Sequence, residues 1–226
     1  MEKPVFRFDD PVTLIGAGGA SADVLALARE FAPRVVAVDG GADVALGHDV
    51  MPERVIGDLD SLSAQARRAV GPARLTRISE QDSTDFDKAL RTVQAPMMIG
   101  VGFNGDRLDH MLACFNVLTR RPWKRCILLT EHQIILLCPP AIDLDLPPGS
   151  LVSLFPMGQV TGRSSGLEWP IDGLPFAPEG RVGTSNRALG PVRLDMHAPA
   201  MLLILPLAAL AAAVRGLRAC DGWPVP

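Results

Sequence analysis

Short apolar runs alternate with amphipathic stretches through the first half of the chain. Val12–Ile15 reads as a strand, and Gly16-Ala17-Gly18-Gly19 turns from it into a helix near Ala22–Phe31. Val35–Val38, Arg54–Ile56, Leu75–Ile78 and Met97–Val101 repeat the strand pattern. Thr84–Val93 sets Phe86, Leu90 and Val93 at helical spacing, and a further helical stretch runs from about Leu108 to Thr119. Strands alternating with helices predict a parallel α/β sheet. After about Arg125 the pattern changes. Cys126–Thr130 and Gln133–Cys138 predict a hairpin around Glu131-His132, and prolines at 139, 140, 147 and 148 punctuate the next stretch. Leu151–Phe155, Val192–Met196 and Met201–Leu205 predict short antiparallel strands, and an Ala-rich helix begins near Ala208. The expected organisation is an α/β domain over residues 1–140 and an antiparallel β domain with a helical tail over 141–226.

Composition narrows the class. Of 226 residues, 48% are hydrophobic and 21% charged, enough to build a core. The formal net charge of -3, with Lys and Arg scattered, argues against nucleic acid or an anionic membrane as partner. The opening MEKPVFRFDD lacks the apolar core of a signal peptide, and the apolar stretch Met201–Val214 is too short to span a bilayer and contains Pro206. Cys114, Cys126, Cys138 and Cys220 show no CxxC spacing and read as reduced thiols. A cytoplasmic protein is expected.

Carboxylates gather where the predicted strands end. Asp39 follows the second strand, Asp58 and Asp60 the third, and Asp106 and Asp109 the fifth; Asp82, Asp85 and Asp87 open the helix after the fourth. In an open α/β sheet, ligands bind outside the carboxyl ends of the strands. Acids brought together there repel one another unless a hard cation such as Mg²⁺ joins them. Asp58 and Asp60, one residue apart, can turn toward one ion. Any single Asp can equally cap a helix or turn. The Gly16–Gly19 turn can bring backbone to an anion at a helix N-terminus, or can be simply a tight turn. Arg107 can grip phosphate through its planar fork, or pair with a nearby Asp. His110 reads equally as a packed helical histidine. In the second half, Trp169 can stack on a flat cationic ring or belong to a core, and Ser185 and Asn186 can hydrogen-bond a heterocycle or make a turn.

In order along the chain, these segments resemble the thiamine pyrophosphokinase family. The resemblance runs through Asp39-Gly40-Gly41-Ala42, Val55–Ser61, Gln81–Leu90 and Gly105–His110, then Gly166-Leu167-Glu168-Trp169-Pro170, Thr184-Ser185-Asn186 and Leu202–Pro206. Asn104 and Glu53 are mild departures, and the tail 207–226 carries no recognisable motif. The resemblance implies an N-terminal nucleotide-binding α/β domain, a C-terminal β-sandwich, and a homodimer with active sites at the subunit interface. It implies conversion of ATP and thiamine to AMP and thiamine diphosphate. Metal and phosphate work would fall to Asp58, Asp60 and Asp85, with Arg107 and Asp109 completing the catalytic set. Asp39, Gly40, Gln81, Arg107 and His110 would lie near ATP, and Trp169, Ser185 and Asn186 near the thiamine rings. A hydroxymethyl-pterin pyrophosphokinase and a non-catalytic nucleotide sensor are the alternative readings.

Overall fold

The computed structural model describes residues 5–105 and 107–225; Asp106, one of the strand-end acids, lies outside the described residues. The chain divides into two compact units, residues 1–117 with 128–131, and residues 118–127 with 132–226. The division falls ahead of residue 140, because the strand at 133–137 belongs to the second unit.

The first unit contains β1 (Phe6–Arg7), β2 (Val12–Ile15), α1 (Ala22–Phe31), β3 (Arg34–Val38) and α2 (Gly41–Gly47). It continues with β4 (Arg54–Gly57), α3 (Ala64–Val70), β5 (Leu75–Arg77), α4 (Asp85–Thr92), β6 (Val93–Gln94), β7 (Met98–Val101) and the start of α5 (Leu108–Arg120). Strands β7, β2, β3, β4 and β5 lie side by side in that order, all parallel. Val12, Leu14, Ile15, Val36, Ala37, Val55, Ile56 and Ile99 are fully buried, as expected for a sheet covered on both faces. From β2 the chain steps outward through β3, β4 and β5, then returns to the other side of β2 as β7. That reversal opens a crevice beyond the carboxyl ends of β2 and β7, the usual ligand position in such sheets.

The expected strands of the first unit are realised within a residue or two, but β1, β6, α2 and α3 were not expected. Both helices are seven residues long, too short for a periodic signal. Helix α3 is set by its ends: Ser63 accepts from the Ala66 amide at 3.0 Å, and Gly71 leaves the helix at φ 77°.

β8 (Cys126–Leu129) straddles the division. The second unit holds β9 (Gln133–Leu137), β10 (Ala141–Leu144), β11 (Leu151–Pro156), β12 (Gly162–Leu167), β13 (Gly183–Met196), β14 (Met201–Pro206) and α6 (Leu210–Ala219). The pairings of β13 with β10, β11 and β12, and of β14 with β11 and β9, are antiparallel. β13 is fourteen residues long. Its first part pairs with β11, which continues through β14 to β9, and its second part pairs with β10 and β12. One long strand therefore serves two sets of neighbours. The segment Thr184-Ser185-Asn186, a turn by composition, lies inside β13. It forms a bulge, with Ser185 at φ 64° and the register slipping between Val152 and Leu154. The tail is docked: α6 buries Leu210, Ala213, Val214 and Leu217, and the Trp223 Nε1–H donates to the Cys138 carbonyl at 3.0 Å. Among the described residues, no helix is long and apolar enough to cross a membrane.

Candidate active site

The acids at the strand ends meet. Asp39 closes β3 in the left-handed region, at φ 48°, and is 5% exposed. Its backbone N–H donates to the Ile56 carbonyl, and its Oδ2 accepts from the Ser61 amide at 3.3 Å. Its Oδ1 is buried without a hydrogen-bond partner. Burial pushes the Asp39 carboxyl above its ordinary range, and the charges of Asp85 and Asp58 add to that, while the Ser61 hydrogen bonds oppose it. Gly57, at the end of β4, gives Asp39 its room: a Cβ there would stand 2.8 Å from the Asp39 Cβ and 3.3 Å from Asp85 Oδ1. Leu59, at φ 66°, turns the chain so that Asp58 and Asp60 share a side. Carboxylate oxygens of Asp39, Asp58 and Asp60 all lie within 4.8 Å of one another.

One cation faces this cluster from the core. Lys88, on α4, has a side chain only 1% exposed, and its Nζ lies 2.9 Å from Asp85 Oδ1 and 3.6 Å from Asp58 Oδ2. Burial alone would depress the ammonium pKa, but Asp85 and Asp58 outweigh it and raise it, so Lys88 is charged. Asp58 is also partly desolvated, which works against ionisation. The Asp60 amide at 3.2 Å, the Gln81 Nε2 at 3.2 Å and Lys88 together prevail and hold it below the usual carboxylate range. Four carboxylates against one ammonium leave net negative charge. The donors are all oxygen and one buried oxygen lacks a partner, so the residues present fit a hard divalent cation such as Mg²⁺.

These groups border a cavity of about 610 Å³ lined by residues of the first unit alone. Of the ATP and catalytic residues expected from the sequence, Asp39, Asp58, Gln81, Asp85, Arg107 and His110 line it. Asp60 joins through the carboxylate cluster, whereas Gly40 is the buried N-cap of α2. Asp109 is engaged elsewhere: it accepts from Arg107 Nε at 3.2 Å and Nη2 at 2.6 Å in a forked, exposed pair. That pairing is one of the two roles the sequence left open for Arg107. His110 is exposed at the start of α5.

The glycine turns serve packing. A Cβ on Gly16 would lie 2.5 Å from the Gly102 carbonyl oxygen, and one on Gly18 would lie 2.7 Å from the Gly105 nitrogen. The two turns interlock, and the Gly18 N–H donates to the Gly102 carbonyl at 2.8 Å. The N-terminus of α1 already holds an anion of its own. Glu131 accepts from the Ser21 amide at 3.1 Å and from its hydroxyl at 2.8 Å, while Ser21 Oγ caps Val24. Of the two roles left open for Gly16–Gly19, the tight turn is realised in this packing, and Gly16, Ala17 and Gly18 also line the cavity.

Lys88 and Phe103 are among the lining residues that sequence reasoning missed. Lys88 was passed over because lysine is normally a surface residue; its position one turn after Asp85 was the available signal. Phe103, an aromatic among glycines, packs on Phe86 with ring centroids 4.7 Å apart, and Gly16 and Gly100 leave space beside its ring.

In the second unit, Trp169 is 55% exposed, so it is not a core tryptophan. Asn186 is buried and holds it by the backbone: its Oδ1 accepts from the Trp169 amide at 3.1 Å, and its Nδ2 donates to the Trp169 carbonyl at 2.7 Å. The strained Ser185 donates its amide to Ser153 Oγ at 2.9 Å. An exposed indole on a fixed backbone can serve as a stacking platform.

Residues 26–129 match the family model described as thiamin pyrophosphokinase, catalytic domain. The chain is similar to thiamine pyrophosphokinase 3 of Oryza sativa subsp. japonica, at 27% identity over 197 residues, covering 69% of this chain and 74% of that protein. It is also similar to thiamine pyrophosphokinase 1 of Arabidopsis thaliana, at 26% identity over 166 residues, covering 63% of this chain and 61% of that protein. In fold it resembles the structure of thiamin pyrophosphokinase from Candida albicans, with a TM-score of 0.74 at 17% identity, over 88% of this chain and 89% of that one. The ordered acidic motifs, the mixed α/β architecture and these matches all support the thiamin pyrophosphokinase family.

Proposed function

We propose that this protein transfers the pyrophosphoryl group of ATP to the primary hydroxyl of thiamine, giving thiamine diphosphate and AMP. The observation that carries this reading is the carboxylate cluster, with a buried lysine behind it, at the mouth of a nucleotide-sized cavity beyond the strand ends. Its relatives' names point the same way.

In this reading Asp58, Asp60 and Asp85 hold Mg²⁺ together with the phosphates, and Asp39, whose oxygens lie within the same cluster, joins them. When bound, Mg²⁺ offsets charge that builds up on the phosphate oxygens during transfer. Lys88 fixes Asp85 and Asp58 from behind. Gln81 steadies Asp58. Arg107 exchanges Asp109 for the phosphate chain, and Gly40 and His110 border the nucleotide. The thiamine hydroxyl oxygen bonds to the β-phosphorus as the bond to the oxygen bridging the α- and β-phosphorus atoms breaks. AMP leaves with that oxygen, and a carboxylate of the rim takes the hydroxyl proton. Such transfer depends chiefly on positioning and charge neutralisation.

The two antiparallel sets of the second unit are read as the faces of a β-sandwich that presents Trp169 and Ser185 to the thiamine rings. Asn186 contributes by holding Trp169. The working form is read as a cytoplasmic homodimer with its sites at the subunit interface. Leu108 and Leu112, 61% and 52% exposed on α5 near the cavity mouth, give apolar surface suited to such a contact.

The test is AMP release from ATP by purified protein with Mg²⁺, with thiamine, without it, and with hydroxymethyl-pterin in its place. AMP and thiamine diphosphate formed together, and only with thiamine, is the expected result. AMP with the pterin alone would reassign the acceptor, and none with either would favour a nucleotide sensor.

A further inference from the structure

Behind the cavity wall lies a second charged network, outside the carboxylate cluster. Arg91, on the last turn of α4, has a side chain 15% exposed. Its Nη2 donates to Glu80 Oε1 and, at 3.1 Å, to Ser83 Oγ. Ser83 Oγ in turn donates to Glu80 Oε1 at 2.5 Å. On its other side, Arg91 Nε stands 3.4 Å from Asp87 Oδ2, and that carboxylate's side chain is 2% exposed. The Ser83 hydroxyl and the Arg91 guanidinium both hold the Glu80 carboxyl below its ordinary range.

The network brackets one segment, residues 80–84, the later part of the connection between β5 and α4. That segment supplies Gln81, Ser83 and Thr84 to the cavity wall and delivers Asp85 at the helix start. Gln81 reaches forward to Asp58, while Glu80 and Ser83 reach back to Arg91. The helix end is held as well, since Thr84 Oγ1 accepts from the Asp87 amide at 3.2 Å. Glu80 and Gln81, adjacent in sequence, therefore reach to opposite sides, Gln81 to Asp58 at the cavity and Glu80 to Arg91.

We propose that Arg91 is a positioning residue for the nucleotide site. Through Glu80 and Ser83 it fixes segment 80–84, so that Gln81 and Asp85 stand opposite Asp58 before any ligand arrives. The proposal rests on the nucleotide reading above and adds a residue that touches neither nucleotide nor metal. A guanidinium suits the task because its planar fork serves several oxygens at once, which an ammonium on a flexible stem does not.

The experiment compares wild type with R91M, R91K and E80Q. Binding of Mg²⁺ with a non-hydrolysable ATP analogue is measured by calorimetry, amide hydrogen exchange is followed over 80–84, and the KM values for ATP and thiamine are determined separately. Outer-shell partners of metal sites typically matter by about 10- to 100-fold. R91M is therefore expected to weaken analogue binding roughly tenfold, to lose exchange protection over 80–84, and to leave the thiamine KM within about twofold. R91K is expected to fall between R91M and wild type. E80Q breaks the same anchor from its more exposed end and stands in if R91M does not fold. Unchanged analogue binding in R91M or E80Q overturns the proposal. So does protection lost evenly over the whole chain, which marks a merely structural arginine. Wild type that binds the analogue but makes no AMP with thiamine refutes the proposed reaction and leaves the Arg91 assignment standing. Wild type that fails to bind the analogue refutes both.

Discussion

The carboxylate rim and the start of α5 border the same cavity, yet they are built in opposite ways. At the rim, Asp39, Asp58 and Asp85 come from strand and helix ends of the core, and a lysine only 1% exposed faces two of them. At the start of α5, Arg107 and Asp109 are 68% and 64% exposed and satisfy each other two residues apart. Rim geometry is fixed by burial. The forked pair can be exchanged for another anion at little cost, because its ends are already in water. In the proposed reaction, the first would be a preorganised part, where charge is neutralised, and the second an adaptable part that receives the ligand.

The comparison breaks most sharply at Asp58. Its carboxylate accepts from Gln81 and the Asp60 amide and faces Lys88, so Asp58→Asn removes charge from the centre of the rim. Metal stabilisation of phosphoryl transfer is worth several kcal/mol, so turnover is expected to fall by about a hundredfold or more. Assay of AMP release at saturating Mg²⁺, with unchanged circular dichroism, checks it. Near-normal turnover would remove Asp58 from the metal site.

Next comes Lys88→Met, which leaves Asp58 and Asp85 facing each other without their cation. Their side chains keep 12% and 29% exposure, so the loss is less than for a fully buried pair, about 1–3 kcal/mol. A melting curve is expected to show it. Added Mg²⁺ should recover more stability in the variant than in wild type, since the ion supplies the missing positive charge. Equal recovery in both would mean that Lys88 and the metal act on different groups.

The strands of the first unit were legible because runs such as Val35-Val36-Ala37-Val38 carry β-branched residues buried on both faces. The chemistry of Asp58 and Asp85 was legible from their place after strands and before a helix. Three features were not. Lys88 is a surface residue by type, and only tertiary packing buries it. Asp39 turns with a positive φ that a non-glycine residue does not advertise. Thr184-Ser185-Asn186 has turn composition, but its neighbours pair as strand and force a bulge. Each was decided by partners distant in sequence, and those leave no local pattern.

Arg107→Ala probes the adaptable side of the comparison. Asp109 loses a partner but stays in water, so the melting temperature should not move. The ATP KM is expected to rise about tenfold, the loss of one charge-assisted forked contact, with the thiamine KM unchanged. A fall in melting temperature would show that the pair is part of the scaffold.

The smallest expected effect has the opposite sign and lies back at the rim. Asp39 carries a carboxyl whose pKa burial raises, with Asp85 and Asp58 adding to it. A carboxyl with a raised folded-state pKa binds its proton more tightly in the folded chain than in the unfolded one. Stability of the metal-free protein is therefore lost as pH rises from the unfolded value, 3.8, through the raised folded value, and the deficit persists at neutral pH. Asp39→Asn removes that charge and keeps an oxygen to accept from the Ser61 amide. Its amide nitrogen would stand where Oδ1 now lacks a partner, near the charges of Asp58 and Asp85. Metal-free Asp39→Asn is expected to melt above wild type at pH 7, with the difference vanishing as pH falls below the unfolded value. Saturating Mg²⁺ should narrow the gap, because the ion rewards the carboxylate and not the amide. A variant no more stable than wild type without metal would mean that the rim tolerates its own charge, and the case for a preorganised cation site would lose its electrostatic basis.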